Sequence, residues 1–100
     1  MSLPVIFQRE ARLEFEEAVA WYESARPGLG REFKLAVKLA LKRALAHPGY
    51  FQRVRGRAQK IRLQRFHKSA IYFAIKDDGF VVLAVFHASR NPADLGRRLE

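Results

Sequence analysis

The side chains of this chain best suited to chemistry are basic. Between Gln52 and Lys68 seven of seventeen residues are Lys or Arg (Arg53, Arg55, Arg57, Lys60, Arg62, Arg65 and Lys68), and none is Asp or Glu. Five of the seven are Arg, whose planar fork meets a phosphate or carboxylate through two parallel hydrogen bonds. Like charges this close repel one another, and a polyanion or an acidic protein would relieve that cost. The imbalance is wider than this run. From Phe33 to Lys76 there are twelve Lys or Arg and no acid, whereas the rest of the chain holds seven Lys or Arg against ten Asp or Glu. The net charge of +9 therefore belongs to the middle of the sequence. A field of this kind speeds encounter with anions and says nothing about fold. A single-stranded nucleic acid touching about five phosphates would lose affinity with a log–log salt slope of about −3.5.

Metal-free cleavage of a phosphodiester is the reaction these residues could support. It needs charge around the phosphate and a proton donor for the leaving oxygen. Arg62, Arg65 and Arg90 could supply the charge, and His87, titrating near neutrality, the proton. The plainer reading of His87 is a strand-end residue bonded to a neighbouring loop. His47, at a helix end, and His67, in a turn, share no ligand spacing with it. The chain has no Cys, so no metal site and no cofactor is expected. Glu10, Glu14, Glu16, Glu17 and Glu23 read as a solvated helix face whose acids pair with Lys34, Lys38 and Lys42. Trp21 and Tyr22 read as packing between helix and sheet rather than as a stacking platform.

These groups must be held by a small set of elements. Leu3 to Gln8 is short, apolar and β-branched, and predicts a strand. Ala11, Phe15, Ala18 and Tyr22 recur at helical spacing and predict a helix over 9–26. Pro27-Gly28-Leu29-Gly30 breaks it. Phe33, Val37, Leu41, Ala44 and Leu45 predict a second helix over 31–47, ended by His47-Pro48-Gly49. So short a link makes the two helices an antiparallel hairpin. The period then changes to two. Residues 60–66 alternate, with Ile61, Leu63 and then Arg65 on one face and Lys60, Arg62, Gln64 and Phe66 on the other. Ala70 to Lys76 is a second strand and Asp77-Asp78-Gly79 a tight turn. Phe80 to His87, apolar on both faces, is an interior strand. Asn91-Pro92 stops it, and 93–99 is a final helical turn. The expectation is an α+β domain over residues 1–100: an N-terminal strand, an antiparallel two-helix hairpin, a three-stranded antiparallel sheet and a short C-terminal turn or helix, with the first strand pairing to one of the later three.

Composition excludes several classes. A chain of 100 residues with 49% hydrophobic and 29% charged residues is one globular domain, too apolar for disorder. No apolar run is long enough to span a membrane. The segment Met1 to Val5 lacks the basic start and long apolar stretch of a secretory leader, so none is expected. The lack of Cys suits a reducing cytoplasm.

The runs EAVAWYE, GLGREF, HPGYFQRVRG and IYFAIKDDGFVVLAVFHASRNP, in this order and from about Val5 to about Arg98, resemble the RelE/ParE superfamily of bacterial type II toxin–antitoxin toxins, nearer the ParE-like plasmid-stabilisation branch. The most specific piece is the end of the last strand, His87-Ala88-Ser89-Arg90-Asn91-Pro92. The resemblance implies a growth-inhibiting toxin neutralised by a cognate antitoxin. In the ParE-like branch it acts by binding DNA gyrase, without known nuclease chemistry. In the RelE-like branch it is a ribosome-dependent mRNA endoribonuclease, which here would rest on His87, Arg62, Arg65 and Arg90. RelE-like nucleases usually carry an aromatic near the C-terminus to stack a base, and this chain has none after Arg90. A non-toxic homologue that only binds its partner is a third possibility. For antitoxin or target binding the expected surface is Arg57, Lys60, Arg62, Arg65 and Arg90, with the antitoxin segment adding a strand to an open sheet edge.

Overall fold

A run of three extended residues, β1 (Val5–Phe7), leads through Gln8 into helix α1 (Arg9–Ala25). Helix α2 (Leu29–Ala46) follows, then a 3-10 turn at Pro48–Tyr50. Four strands come next: β2 (Gln52–Arg55), β3 (Ala58–Arg62), β4 (Ser69–Lys76) and β5 (Gly79–His87). Helix α3 (Pro92–Arg98) ends the chain. The computed structural model describes residues 3–99. None of its helices is long and apolar enough to cross a membrane.

The expected α+β architecture is present, with two differences. The sheet order is β1-β5-β4-β3-β2. The first strand joins β5 in parallel, Val5 opposite Phe80 and Phe7 opposite Val82, so the sheet is mixed. The antiparallel part holds four strands rather than three, because Gln52–Arg55 pairs with β3. All four residues of β2 are exposed. Neither of its faces is buried, so its sequence carries no alternation for a pattern argument to find. The β2–β3 turn is made by Gly56 and Arg57, with Gly56 in the left-handed region at φ 54°.

The hairpin depends on glycine at one contact. A Cβ on Gly30 would lie 2.7 Å from the Val19 carbonyl oxygen of α1, so the helices meet backbone to side at that point. Glu23 adds a polar tie. Its carboxylate accepts hydrogen bonds from the backbone N–H groups of Gly28 and Gly30, each at 3.0 Å, closing donors left open at the start of α2. Those bonds hold the Glu23 carboxyl below its ordinary value of 4.5.

Both helices cover one face of the sheet. Their core is Ala11, Ala18, Tyr22, Phe33, Val37, Ala40, Leu41 and Ala44, set against Ile61, Ile71, Phe73, Phe80, Val82 and Val85. Phe66 belongs to this core, contrary to the outward face expected for it. Strand β3 stops at Arg62, so period-two alternation no longer governs residue 66. Phe66 packs edge-on against Tyr22 and Phe33, at 4.9 and 5.3 Å between ring centroids, and Arg65 is left outside.

The second face of the sheet has a smaller apolar cluster: Ala58, Tyr72, Ala74, Leu83, Ala84 and Phe86, capped by Leu95 of α3. Helix α3 starts where Pro92 fits the first turn and the Asn91 side chain accepts a hydrogen bond from the Ala93 N–H. It covers only part of this face. The remainder is where the basic residues of β3 and β4 emerge.

Candidate binding surface

Alternation along β3 decides which cations share a face. Ile61 is fully buried against the helices, so its neighbours Lys60 and Arg62 point to the other side of the sheet. There they line one hollow of about 210 Å3 together with His67 and Lys68 from the β3–β4 connection. Its apolar wall is Tyr72, Ala70 and Phe86, and no carboxylate lines it. The Lys60 ammonium sits 5.7 Å from the Tyr72 ring centroid, an arrangement that leaves it aimed across an aromatic floor. Among the described residues no ion pair engages Lys60, Arg62, His67 or Lys68. A second hollow on the same face, about 250 Å3, is bordered by Arg55, Arg57, Lys76 and Arg98 over Ala58, Ala74 and Leu83. Arg55 donates to the Gly96 carbonyl at 3.1 Å and so ties α3 to β2.

The five residues expected to form one basic surface are thus divided. Lys60 and Arg62 stand together, and Arg57 lies at the neighbouring hollow. Arg65 turns to the helices, where it meets Glu32 of α2 at 2.6 Å; that bond lowers the Glu32 carboxyl from its ordinary value. Arg90 is held by Glu17 of α1. These last two are joined to carboxylates on the helical side, whereas Lys60, Arg62 and Arg57 stand on the open sheet face. Among the described residues Lys34, Lys38 and Lys42 make no ion pair with the α1 acids expected to meet them.

His87 lies apart from Arg62. It follows Phe86 on β5 and faces the helices, with its ring 4.7 Å from Trp21 and 6.1 Å from Tyr22 between centroids. Its Nδ1 accepts a hydrogen bond from the Ser89 N–H at 3.1 Å and lies 2.8 Å from the Ser89 hydroxyl. Burial, then the nearby charges of Lys68 and Arg90, pushes its pKa below the usual 6.5. A neutral ring with the proton on buried Nε2 follows. The four residues that phosphodiester cleavage would need are therefore not brought together: His87 and Arg90 share a small hollow beside Trp21, Arg62 lies across the sheet, and Arg65 pairs with α2. No group of three or more His, Asp or Glu among the described residues could hold a metal ion.

Sequence reasoning missed two residues. Glu14 is 5% exposed, not part of a solvated face. Its carboxylate accepts from the Val85 N–H at 3.0 Å and from Arg98 at 2.7 and 3.1 Å. The one sequence signal available was its position: it sits three residues after buried Ala11 and four before buried Ala18, inside the apolar stripe. Trp21 is the converse case. It is 48% exposed, while Tyr22 takes the buried position and joins its hydroxyl to Ser69 at 3.0 Å.

No protein-family profile and no curated protein sequence matches this chain. Among solved structures, its backbone is similar to a chain described as "Chromosomal ParDE TA system from P. aeruginosa". The TM-score is 0.73 at 11% sequence identity, over 86% of this chain and 96% of that one. The two chains share a fold. Strand, helical hairpin, sheet and basic open face are thus arranged on a backbone already seen in a toxin–antitoxin system, at an identity where fold is all that the likeness carries.

Proposed function

We propose that this protein is the toxin component of a type II toxin–antitoxin system, a cytoplasmic protein that acts by binding an essential target and is neutralised by a cognate antitoxin. The observation that carries this reading is the backbone likeness over nearly the whole of both chains, together with the ParE-like sequence runs. The target we favour is DNA gyrase, in keeping with the ParE-like runs and with the separation of His87 from Arg62. Neutralisation would use Lys60, Arg62 and Arg57 of the open sheet face, which suit an acidic antitoxin segment. Lys60 and Arg62 would make first contact, with Arg57 beside them. Arg65 and Arg90 would join only by exchanging Glu32 and Glu17 for partner carboxylates.

One observation favours a second reading, a ribosome-dependent mRNA endoribonuclease. Lys60, Arg62, His67 and Lys68 enclose a hollow of phosphate-compatible charge. In that reading His87 is not the proton donor, because its Nδ1 is engaged by Ser89 and its Nε2 is buried.

Induction from a tightly repressed promoter tests the proposal. Growth arrest with DNA damage and intact message supports gyrase poisoning. Codon-specific mRNA cuts support the nuclease. Unimpeded growth with stable binding to the short acidic product of an adjacent reading frame indicates a non-toxic homologue and overturns the toxin reading.

A further inference from the structure

A hollow of about 380 Å3 lies on the helical side of the molecule, between the end of α1 and the β3–β4 connection. Its floor is apolar: Trp21, Tyr22, Leu29 and Phe66. Its rim carries Lys68, the His67 imidazole and Arg65, the last engaged by Glu32. The floor is rigid, because Tyr22 is fixed by Ser69 at 3.0 Å and Phe66 packs edge-on against the Tyr22 ring. Trp21, T-shaped on Tyr22 at 5.0 Å, still leaves 48% of its surface in solvent.

We infer that this hollow is the anchor site for one bulky apolar side chain of an acidic protein segment. The inference rests on the proposed reading of the protein as one neutralised by a protein partner, and it extends that contact from the hollow that holds Lys60 and Arg62 to the helical side of the molecule. Trp, Tyr and Arg are the residue types most enriched where truncation costs binding energy, and Trp21, Tyr22 and Arg65 all line this hollow. The charge of the rim selects the chemistry around the anchor. Lys68 has no ion-pair partner among the described residues, so a carboxylate flanking the anchor would complete it. His67 and Lys68 also line the hollow that holds Lys60 and Arg62, so one acidic segment could reach both. A nucleobase fits less well. The Tyr22 hydroxyl is already bonded to Ser69, which leaves the Trp21 indole N–H as the polar group of the floor against the several polar edge atoms of a base.

Trp21 is the only tryptophan, so its indole N–H gives a single resolved nuclear magnetic resonance signal. The test titrates the protein with a synthetic peptide carrying one leucine among glutamates, with the same peptide bearing alanine instead, and with a short oligouridine. The leucine peptide should shift the Trp21 signal, and the alanine peptide should need about tenfold more ligand, the worth of one buried aliphatic side chain. Ala25→Glu, at an exposed lining position, and Lys68→Glu should each weaken the leucine peptide without lowering the thermal midpoint. Equal responses to the two peptides, or an oligouridine that shifts the signal at lower concentration than either, would overturn the inference. A flat titration in a protein that still arrests growth removes the anchor site alone. Saturable peptide binding in a protein that does not arrest growth leaves the site and removes the toxin reading.

Discussion

Glu14 of α1 and Arg98 of α3, 84 positions apart, form a two-pronged ion pair at the edge of β5. The reason lies in the length of β1. It pairs with β5 only as far as Val82, and Gln8 donates to the Val82 carbonyl at 3.0 Å as the chain leaves. Beyond that point the edge of β5 is open. Arg98 donates to the Leu83 carbonyl at 2.7 Å and Glu14 accepts from the Val85 N–H at 3.0 Å. Leu83 is also the residue that bulges, since Tyr72 pairs with Ala84 and Phe73 with Val82. Two side chains thus do what a longer β1 would have done, and they close that stretch of edge to any added strand.

Glu14→Gln should destabilise the fold by about 2 kcal/mol, because it takes from the largely buried Arg98 guanidinium the carboxylate that meets it through two hydrogen bonds and leaves it only the more exposed Glu10, 3.6 Å away. Arg98→Met in the Glu14→Gln background should cost less than the two single losses added together. Urea denaturation of the four proteins checks both statements. Additive losses would show that the pair is not coupled.

His87 should titrate below 6.5, as burial and the charges of Lys68 and Arg90 lower its pKa. The sign of the linkage follows. The unfolded chain binds this proton more readily than the folded one, so the contribution of His87 to stability is complete above pH 6.5 and declines as pH falls through the lower folded value. His87→Gln should remove that part of the decline while leaving the steeper loss caused by carboxylates at lower pH. Ring carbon shifts followed against pH give the midpoint. A value above 6.5 would mean that the ring is solvated or paired with an acid.

Gly30→Ala should cost about 1–3 kcal/mol, since the added methyl would meet the Val19 carbonyl oxygen at 2.7 Å and both partners are helix backbone. Gly49→Ala is the matched control, with open space around the new Cβ. Thermal denaturation should separate the two. Equal midpoints would show that α1 and α2 can part without loss.

Arg62→Ala and Lys68→Ala should leave the stability within about 0.5 kcal/mol of the parent, as neither side chain is ion-paired among the described residues. Both should elute from immobilised heparin at lower salt than the parent. Arg90→Ala removes an equal charge that Glu17 already engages, so its elution should move less. Equal displacement by all three would mean that the protein presents a diffuse positive field rather than a defined groove.

The helical hairpin and four of the five strands were legible in the sequence: the helices because each buries one stripe, at a spacing of 3.6 across Phe33, Val37 and Leu41, the third strand because Ile61 and Leu63 alternate with Lys60 and Arg62, and the other three because they are short apolar runs bounded by turn residues. The excess of base in the middle of the chain was legible for a simpler reason, since charge is counted without geometry. Strand β2 was invisible because Gln52 to Arg55 buries neither face. The roles of Glu14 and Trp21 were decided elsewhere. Glu14 is buried because β1 ends at Phe7 and leaves the N–H of Val85 in need of an acceptor. Trp21 is exposed because Tyr22, one residue on, can reach Ser69. The division of the arginines had the same origin: which of Arg57, Arg62, Arg65 and Arg90 stays free depends on where Glu17 and Glu32 come to lie. Local sequence sets the period and the charge of each segment. Only tertiary contact sets which polar group from a distant segment arrives to meet it.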